Sequence, residues 1–401
     1  MTVVFLLLAS TAATLNAAPA TPAPYQVTLL TFGPGDHPFF KFGHDAIWVH
    51  DRHAQTDEVY NFGTFDFDNP WLIPEFLQGK LTYWVSVQGI EETLWHYRSE
   101  NRSITAQRLN LQAGSAKALV QRLRHLALPE NRNYQYDYYL NNCATRIRDV
   151  IDDAVNGQLH QVSLAPAPLT WRAHSLRLTH ETWWLYLGVH ILMGDFVDQP
   201  INLWQEMFLP EKLHDGLQRV TVPDVNGNPV PLVAEEIELV RAERPPALTA
   251  PPSRWPIFAL AGLLLGGLLM GLGHLSRSRP WARKIWGLLI GGIGVVCGLL
   301  GIIFVLMWAF TNHAVTYANE NIWLFPPWAL GLAWLGARVW RGKEPSAILA
   351  AIAPACLASA LLGLALKTLP AFDQQNLEFI VMMIPLWGFV AASARRVIRM
   401  G

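Results

Sequence analysis

The sequence predicts an α+β domain followed by an all-α membrane domain of five helices. Three observations carry that expectation. Charged and polar residues concentrate before about residue 245, whereas Leu, Gly, Ala, Ile and Trp dominate from about residue 255 onward. In the polar half, runs rich in aromatic and β-branched residues precede two helical patterns. In the apolar half, five long apolar segments alternate with short polar loops.

The N-terminus reads MTVVFLLLASTAATLNAAPATPAP. A short apolar core followed by small residues predicts a secretory signal peptide over 1–20, although no basic residue precedes the core. An uncleaved N-terminal anchor is the alternative, and both readings put the following domain outside the cytoplasm. That domain is expected over 25–242, long enough to bury a core. YQVTLLTFG, AIWVHD, EVYNFGTFDF, LTYWVSVQ and ITAQRLNL read as strands, with a turn at GPGDHP. SAKALVQRLRHLAL puts Leu119, Leu123 and Leu126 on one helical face. NCATRIRDVIDDAV does the same with Ile147, Val150, Ile151 and Ala154, and Asn142 is a natural N-cap for it.

A proline-rich connector, 243–254, marks the boundary with the membrane domain, 255–400. The expected spans are 255–275, 285–310, 321–340, 346–366 and 377–394, each close to the roughly 20 residues that cross a hydrocarbon core. Arg277, Arg279, Arg283 and Lys284 lie in the first loop, and Arg338, Arg341 and Lys343 in the third. Arg395, Arg396 and Arg399 lie in the tail, while the other two loops hold only Lys367. Basic loops stay cytoplasmic, so five spans put the C-terminus inside and the polar domain outside. Trp255, Trp281 and Trp340 near span ends read as interfacial anchors. Asp373, Glu320 and Glu378 lie near span ends rather than deep within spans, which disfavours an ion pathway.

A formal net charge of -1 argues against nucleic acid as a partner. The chemistry-bearing candidates begin with Cys143, the one cysteine of the polar half; Cys297 and Cys356 fall in the apolar segments. At the first turn of a helix, unpaired N–H groups and the dipole favour a thiolate. Arg146 and Arg148 add positive charge nearby. The alternative is a small buried hydrophobe. A thiol nucleophile needs a base, and His37, His44, His50 and His53 lie close together in sequence. Their spacing matches no metal motif and no HExxH occurs, so neither a metal nor a cofactor is expected. His50 and His53 fall in a polar turn. His44 follows a glycine and opens a strand of core residues, placing a polar ring at the mouth of the core; a structural histidine is the competing reading. Asn61, polar within an aromatic strand, is a candidate to orient the His44 ring, and a turn or bulge residue is the alternative. Asp45 is adjacent to His44 and therefore points to the other face.

The order His-strand, Asn-strand, Cys-helix resembles the circularly permuted papain-like (NlpC) superfamily, which includes lecithin:retinol acyltransferase-like enzymes. The segments FGHDAIWV, VYNFGTFDF, FLQGKLTYWV, ENRNYQYDYYLNNCATRIRD and EMFLPEKL together look like the extracytoplasmic domain of Lnb-type lipoprotein N-acyltransferases. The resemblance runs across most of 25–220 and does not reach the apolar half. It implies a circularly permuted papain-like fold, with Cys143 as nucleophile and His44 as base; Asn61 is carried over from the permuted papain pattern.

The expected function is therefore a membrane-bound thiol acyltransferase. A Cys143 thioester would carry an acyl chain from a lipid or lipoprotein ester to an amine. Arg146 and Arg148 are candidates to bind an anionic group of the substrate; an Arg148–Asp152 pair along the helix is the plainer reading of one of them. The expected partners are the bilayer and the lipid or lipoprotein substrate. A papain-like peptidase or amidase acting on cell-wall peptide is the second reading. A non-catalytic membrane sensor or assembly protein is the third.

Overall fold

A computed structural model describes residues 23–66, 70–71, 74–75, 78–343 and 346–398. The expected signal peptide, and Arg399 of the basic tail, lie outside the described residues.

The polar half is organised by one antiparallel sheet. Its strands are β1 (Tyr25–Phe32), β2 (His44–Asp51), β3 (Thr56–Thr64), β4 (Thr82–Gly89), β5 (Ile104–Leu109), β6 (Asn133–Gln135) and β7 (Val233–Val240). Their spatial order is β6-β4-β3-β2-β1-β5-β7. The five strands expected from sequence are all present. β6, β7 and helix α1 (Ile90–Ser99) were not anticipated. Both faces of the sheet are covered. On one, Val27, Leu29, Ile47, Val49, Tyr60 and Phe62 pack under α2 (Ala113–Leu126) and α3 (Cys143–Ala154). On the other, Leu30, Phe32, Ala46, Val59 and Ile104 pack against Tyr97 of α1. The period-2 alternation of each strand divides these two sets. The domain is thus mixed α and β, as the composition predicts.

Helix α3 starts where the sequence places it. The Asn142 side chain accepts from the Thr145 N–H at 2.9 Å, and the Asn142 N–H donates to Thr145 Oγ1 at 2.8 Å. This capping box is worth about 1 kcal/mol. The Asn142 amide also donates to the carbonyls of Tyr138 and Phe208, which ties the helix start to a later segment. That segment contains α4 (Trp171–Thr179), α5 (Trp183–Leu192) and α6 (Pro210–Leu217), a helical layer that sequence reading left unassigned.

The apolar half contains α7 (Trp255–Leu275), α8 (Pro280–Phe310), α9 (Gly331–Trp340), α10 (Ala347–Leu366) and α11 (Leu377–Ile398). Four of these, α7, α8, α10 and α11, are long and apolar enough to cross a membrane. The expected fifth helix over 321–340 is corrected. It consists of two 3-10 turns, Glu320–Trp323 and Pro327–Leu330, followed by the ten-residue α9. Pro326 and Pro327 cause the break, since each lacks an N–H and proline restricts the residue before it. The broken segment runs antiparallel along α8. Methyl groups on Gly301, Gly298 and Gly294 would meet Phe325, Leu330 and Leu332, and one on Gly287 would meet Gly336 and Trp340. Glycine on one helix face permits this backbone approach.

The two halves are joined by buried polar contacts. Arg172 of α4 donates to both Asp198 carboxylate oxygens, at 2.8 and 3.0 Å, and to the carbonyls of His190, Met193 and Gly194. Asp198 in turn accepts from the Gln375 N–H at 3.1 Å. Asn319 donates to the carbonyls of Ile191 and Leu192, and His190 Nε2 meets Glu378 Oε2 at 3.3 Å.

Candidate active site

The site lies at one end of the sheet, where β2 begins and α3 begins. His44 sits on the β2 face opposite α3, with its ring beside the stacked Phe32–Tyr97 pair, 6.1 Å from each ring centroid. Its Nε2 lies 2.7 Å from Asn61 Oδ1. An amide oxygen only accepts, so Nε2 carries the proton and the lone pair of the neutral ring is on Nδ1. Asn61 is in register with Ala46 and Ser86. The irregularity lies beyond it, between Phe62 and Thr64, where Gly63 has φ +143°.

Gly63 is where His44 and Cys143 meet. A methyl group on Gly63 would lie 3.0 Å from His44 Cε1, 3.7 Å from His44 Nδ1 and 3.8 Å from Cys143 Cβ. The missing side chain opens the end of β3, so that a ring from one face of the sheet comes near a thiol arriving from the other. No direct hydrogen bond joins the two residues. A glycine inside a strand pattern is the sequence signal for such a bulge, and it was missed.

Cys143 is a free thiol that retains some solvent access. The backbone N–H groups of Asp45, Ala144 and Cys143 itself are directed at its sulfur. They favour the thiolate, as the helix-start argument predicts. Burial outweighs them and pushes the thiol up to about 12, with the Asp45 carboxyl adding in the same direction. Burial, with the nearby Arg102 charge, pulls the His44 imidazole down to about 4, against the opposing hydrogen bond to Asn61. The resting pair is therefore a neutral thiol and a neutral imidazole. The helix start acts on the sulfur in the thiolate's favour, as expected, but desolvation is larger.

Asp45 points to the face of α3, opposite His44, as strand geometry requires. Its carboxyl is fully buried beside the Thr31 hydroxyl, and burial raises it to about 7 against the opposing pull of that hydroxyl. It therefore does not orient the His44 ring. Arg102, also fully buried, donates to the Gly33 carbonyl and lies over the Tyr97 ring at 4.6 Å. Neither its burial nor its place behind His44 has a signal in the sequence.

The two arginines differ. Arg146 donates to Asn141 Oδ1 at 3.1 Å and lies over the Tyr134 ring at 4.3 Å, half-buried. Arg148 is buried. Its guanidinium donates to Asp149 and to the Trp204 carbonyl and stacks on the Trp204 ring at 3.8 Å. Its role in the structure is to fasten α3 to the 204 segment; its acidic partner is Asp149 rather than Asp152. His50 is hydrogen-bonded to Asp57 at 3.0 Å within the sheet rather than solvated in a turn, whereas His53 is exposed.

Aromatic rings flank the site. Tyr83 stacks on Phe65 at 4.8 Å and on Tyr136 at 4.2 Å. A cavity of about 320 Å³ next to them is lined by Phe65, Leu81, Trp84 and Arg132. A smaller cleft lies where Tyr136 and Tyr138 face Asn312–Val315, the loop after α8.

Residues 17–177 match the family model described as the Lnb N-terminal periplasmic domain. With the four apolar helices that follow the matched residues, the chain is a multi-pass membrane protein with an N-terminal periplasmic domain. The match includes His44, Asn61, Gly63 and Cys143 and ends before EMFLPEKL and the spans. Comparisons with curated proteins and with solved structures give no match.

Proposed function

We propose that this chain, a membrane protein carrying an Lnb N-terminal periplasmic domain, is a thiol acyltransferase. It moves an acyl chain from a lipid or lipoprotein ester to an amine through a thioester on Cys143. The observation that carries this reading is the convergence of His44 and Cys143 over Gly63, with Asn61 holding the far nitrogen of the ring.

His44 Nδ1 takes the Cys143 thiol proton as the sulfur attacks the ester carbonyl, so charge forms only when substrate is present. The tetrahedral intermediate collapses, the ester C–O bond breaks, and the leaving alcohol takes the proton from His44. The amine then attacks the thioester carbonyl; His44 removes its proton and returns one to the sulfur. In this reading the Cys143 N–H at the helix start helps to hold the oxyanion. Arg146, half-buried on an aromatic ring, is the better placed of the two arginines to meet an anionic substrate group. Arg148 is not.

The broken segment 320–340 runs antiparallel to α8, so it serves as a fifth crossing and the C-terminus lies in the cytoplasm, in keeping with the basic loops. Spans attached beside the site by buried contacts favour a lipid donor over cell-wall peptide.

The test is to trap the intermediate. Full-length protein in detergent with phospholipid or diacylated lipopeptide should gain the mass of an acyl chain on Cys143, and Cys143→Ala should not. Persistent absence of the adduct with every ester donor, in folded protein, would favour a non-catalytic role.

A further inference from the structure

Helix α5 reads WWLYLGVHIL and contains no Lys, Arg, Asp or Glu. Tyr186 and His190 are its buried face. Trp183, Trp184 and Leu187 are exposed, Trp184 by 65%. An exposed tryptophan pair beside a leucine on an uncharged helix marks a contact surface.

Its two ends show where that surface lies. At the first turn, the Arg254 guanidinium stacks on Trp183 at 4.0 Å and on Tyr186 at 4.2 Å, and donates to the His180 carbonyl. Arg254 is the residue immediately before α7. At the last turn, His190 meets Glu378, in the first turn of α11, while Ile191 and Leu192 pack against the apolar core of the spans. α7 and α11 run side by side in the same direction, Gly262 against Met382 and Gly273 against Ser393. Their starts are therefore at one level, and α5 lies across that level rather than rising from it. Trp255 and Ile257, at the top of α7, are exposed as well.

We infer that α5 is an interfacial helix. It lies in the head-group region of the outer leaflet, with Trp183, Trp184 and Leu187 facing lipid. Continuity with the span ends selects lipid as the occupant. The arrangement holds the Cys143 domain at the height of the bilayer surface. It rests on the membrane placement of the spans and not on acyl transfer.

Photo-crosslinking of the full chain tests it. A photoreactive benzoylphenylalanine is placed at Trp184 or at Leu187, with Leu264 in mid-α7 and Lys117 on α2 as references. The protein is reconstituted into mixed phosphatidylethanolamine–phosphatidylglycerol vesicles. The expected result is a mass increase of one phospholipid at 184, 187 and 264, and none at 117. An adduct at 264 but not at 184 and 187 overturns the inference. So does a crosslinked dimer through 184 or 187, which would make the face a contact between copies. No adduct at 264 removes the membrane placement itself, whatever the chemistry at Cys143.

Discussion

His44 Nε2 donates to Asn61 Oδ1 at 2.7 Å across neighbouring strands, which leaves the lone pair on Nδ1, the nitrogen beside Gly63 and Cys143. The ring is thus oriented before any substrate arrives. His44→Gln should reduce thioester formation by about 10²–10⁴-fold, the range of a positioned base. Asn61→Ala should cost less, because the ring remains but rotates, and the loss should fall on kcat rather than KM. Equal activity of Asn61→Ala and wild type in an acyl-transfer assay would remove Asn61 from the mechanism.

Gly63 keeps open the gap in which the thiol and imidazole approach. Gly63→Ala puts a methyl group 3.0 Å from His44 Cε1 at φ +143°. Backbone strain of about 1–3 kcal/mol is expected. The variant should keep its circular dichroism spectrum, melt at a lower temperature and lose most of its acyl transfer. Wild-type rates would show that the ring can move aside without consequence.

A thiol held at about 12 behaves differently from an ion pair. The rate of Cys143 alkylation by iodoacetamide should keep rising with pH beyond 9 and show no plateau near neutrality. Asp45→Asn removes a charge that raises the thiol pKa, so this variant should alkylate faster above pH 7. A plateau at neutral pH in wild type would mean a preformed thiolate–imidazolium pair.

His44 and Asp45 pull stability in opposite directions. The His44 pKa lies near 4 in the fold against 6.5 for a free imidazole, so the unfolded chain binds more protons between those values. Its contribution is fully present above about pH 6.5 and is lost as pH falls toward 4. Asp45 titrates near 7 in the fold against 3.8 when free, so the folded chain binds more protons and stability is lost as pH rises from about 4 to 7. Asp45→Asn should therefore stabilise the protein more at pH 8 than at pH 4, read as the difference in melting temperature. A pH-independent difference would mean that Asp45 does not titrate in that range.

Arg172 is buried against Asp198 beneath three carbonyls. Arg172→Met leaves the Asp198 charge buried with only part of its hydrogen bonding, a loss of about 3–5 kcal/mol. Protease sensitivity of the 195–200 segment should rise before the sheet unfolds. Arg172→Met combined with Asp198→Leu should recover part of that loss.

The sequence by itself determined the features that depend on local pattern. Alternating residues mark β1 to β5, the Asn142 cap marks the start of α3, and long apolar runs mark the four spanning helices. Cys143, His44 and Asn61 stood out as candidates by residue type, position and resemblance, and the fold brings them together around Gly63. Tertiary structure decided the rest. The Pro326–Pro327 pair was visible, but only packing of the broken segment along α8 shows what the break permits. Arg148 read in sequence as a substrate-binding charge or a partner of Asp152, and it is a buried fastener in the fold, because Trp204 and Asp149 reach it. The direction of the Cys143 pKa shift could not be read locally. Helix-start N–H groups act over one turn and are visible in the sequence, whereas desolvation is set by all the mass around the sulfur, supplied by strands and rings far away in the chain. At Cys143 the second effect is the larger, and the site rests as a neutral pair across Gly63.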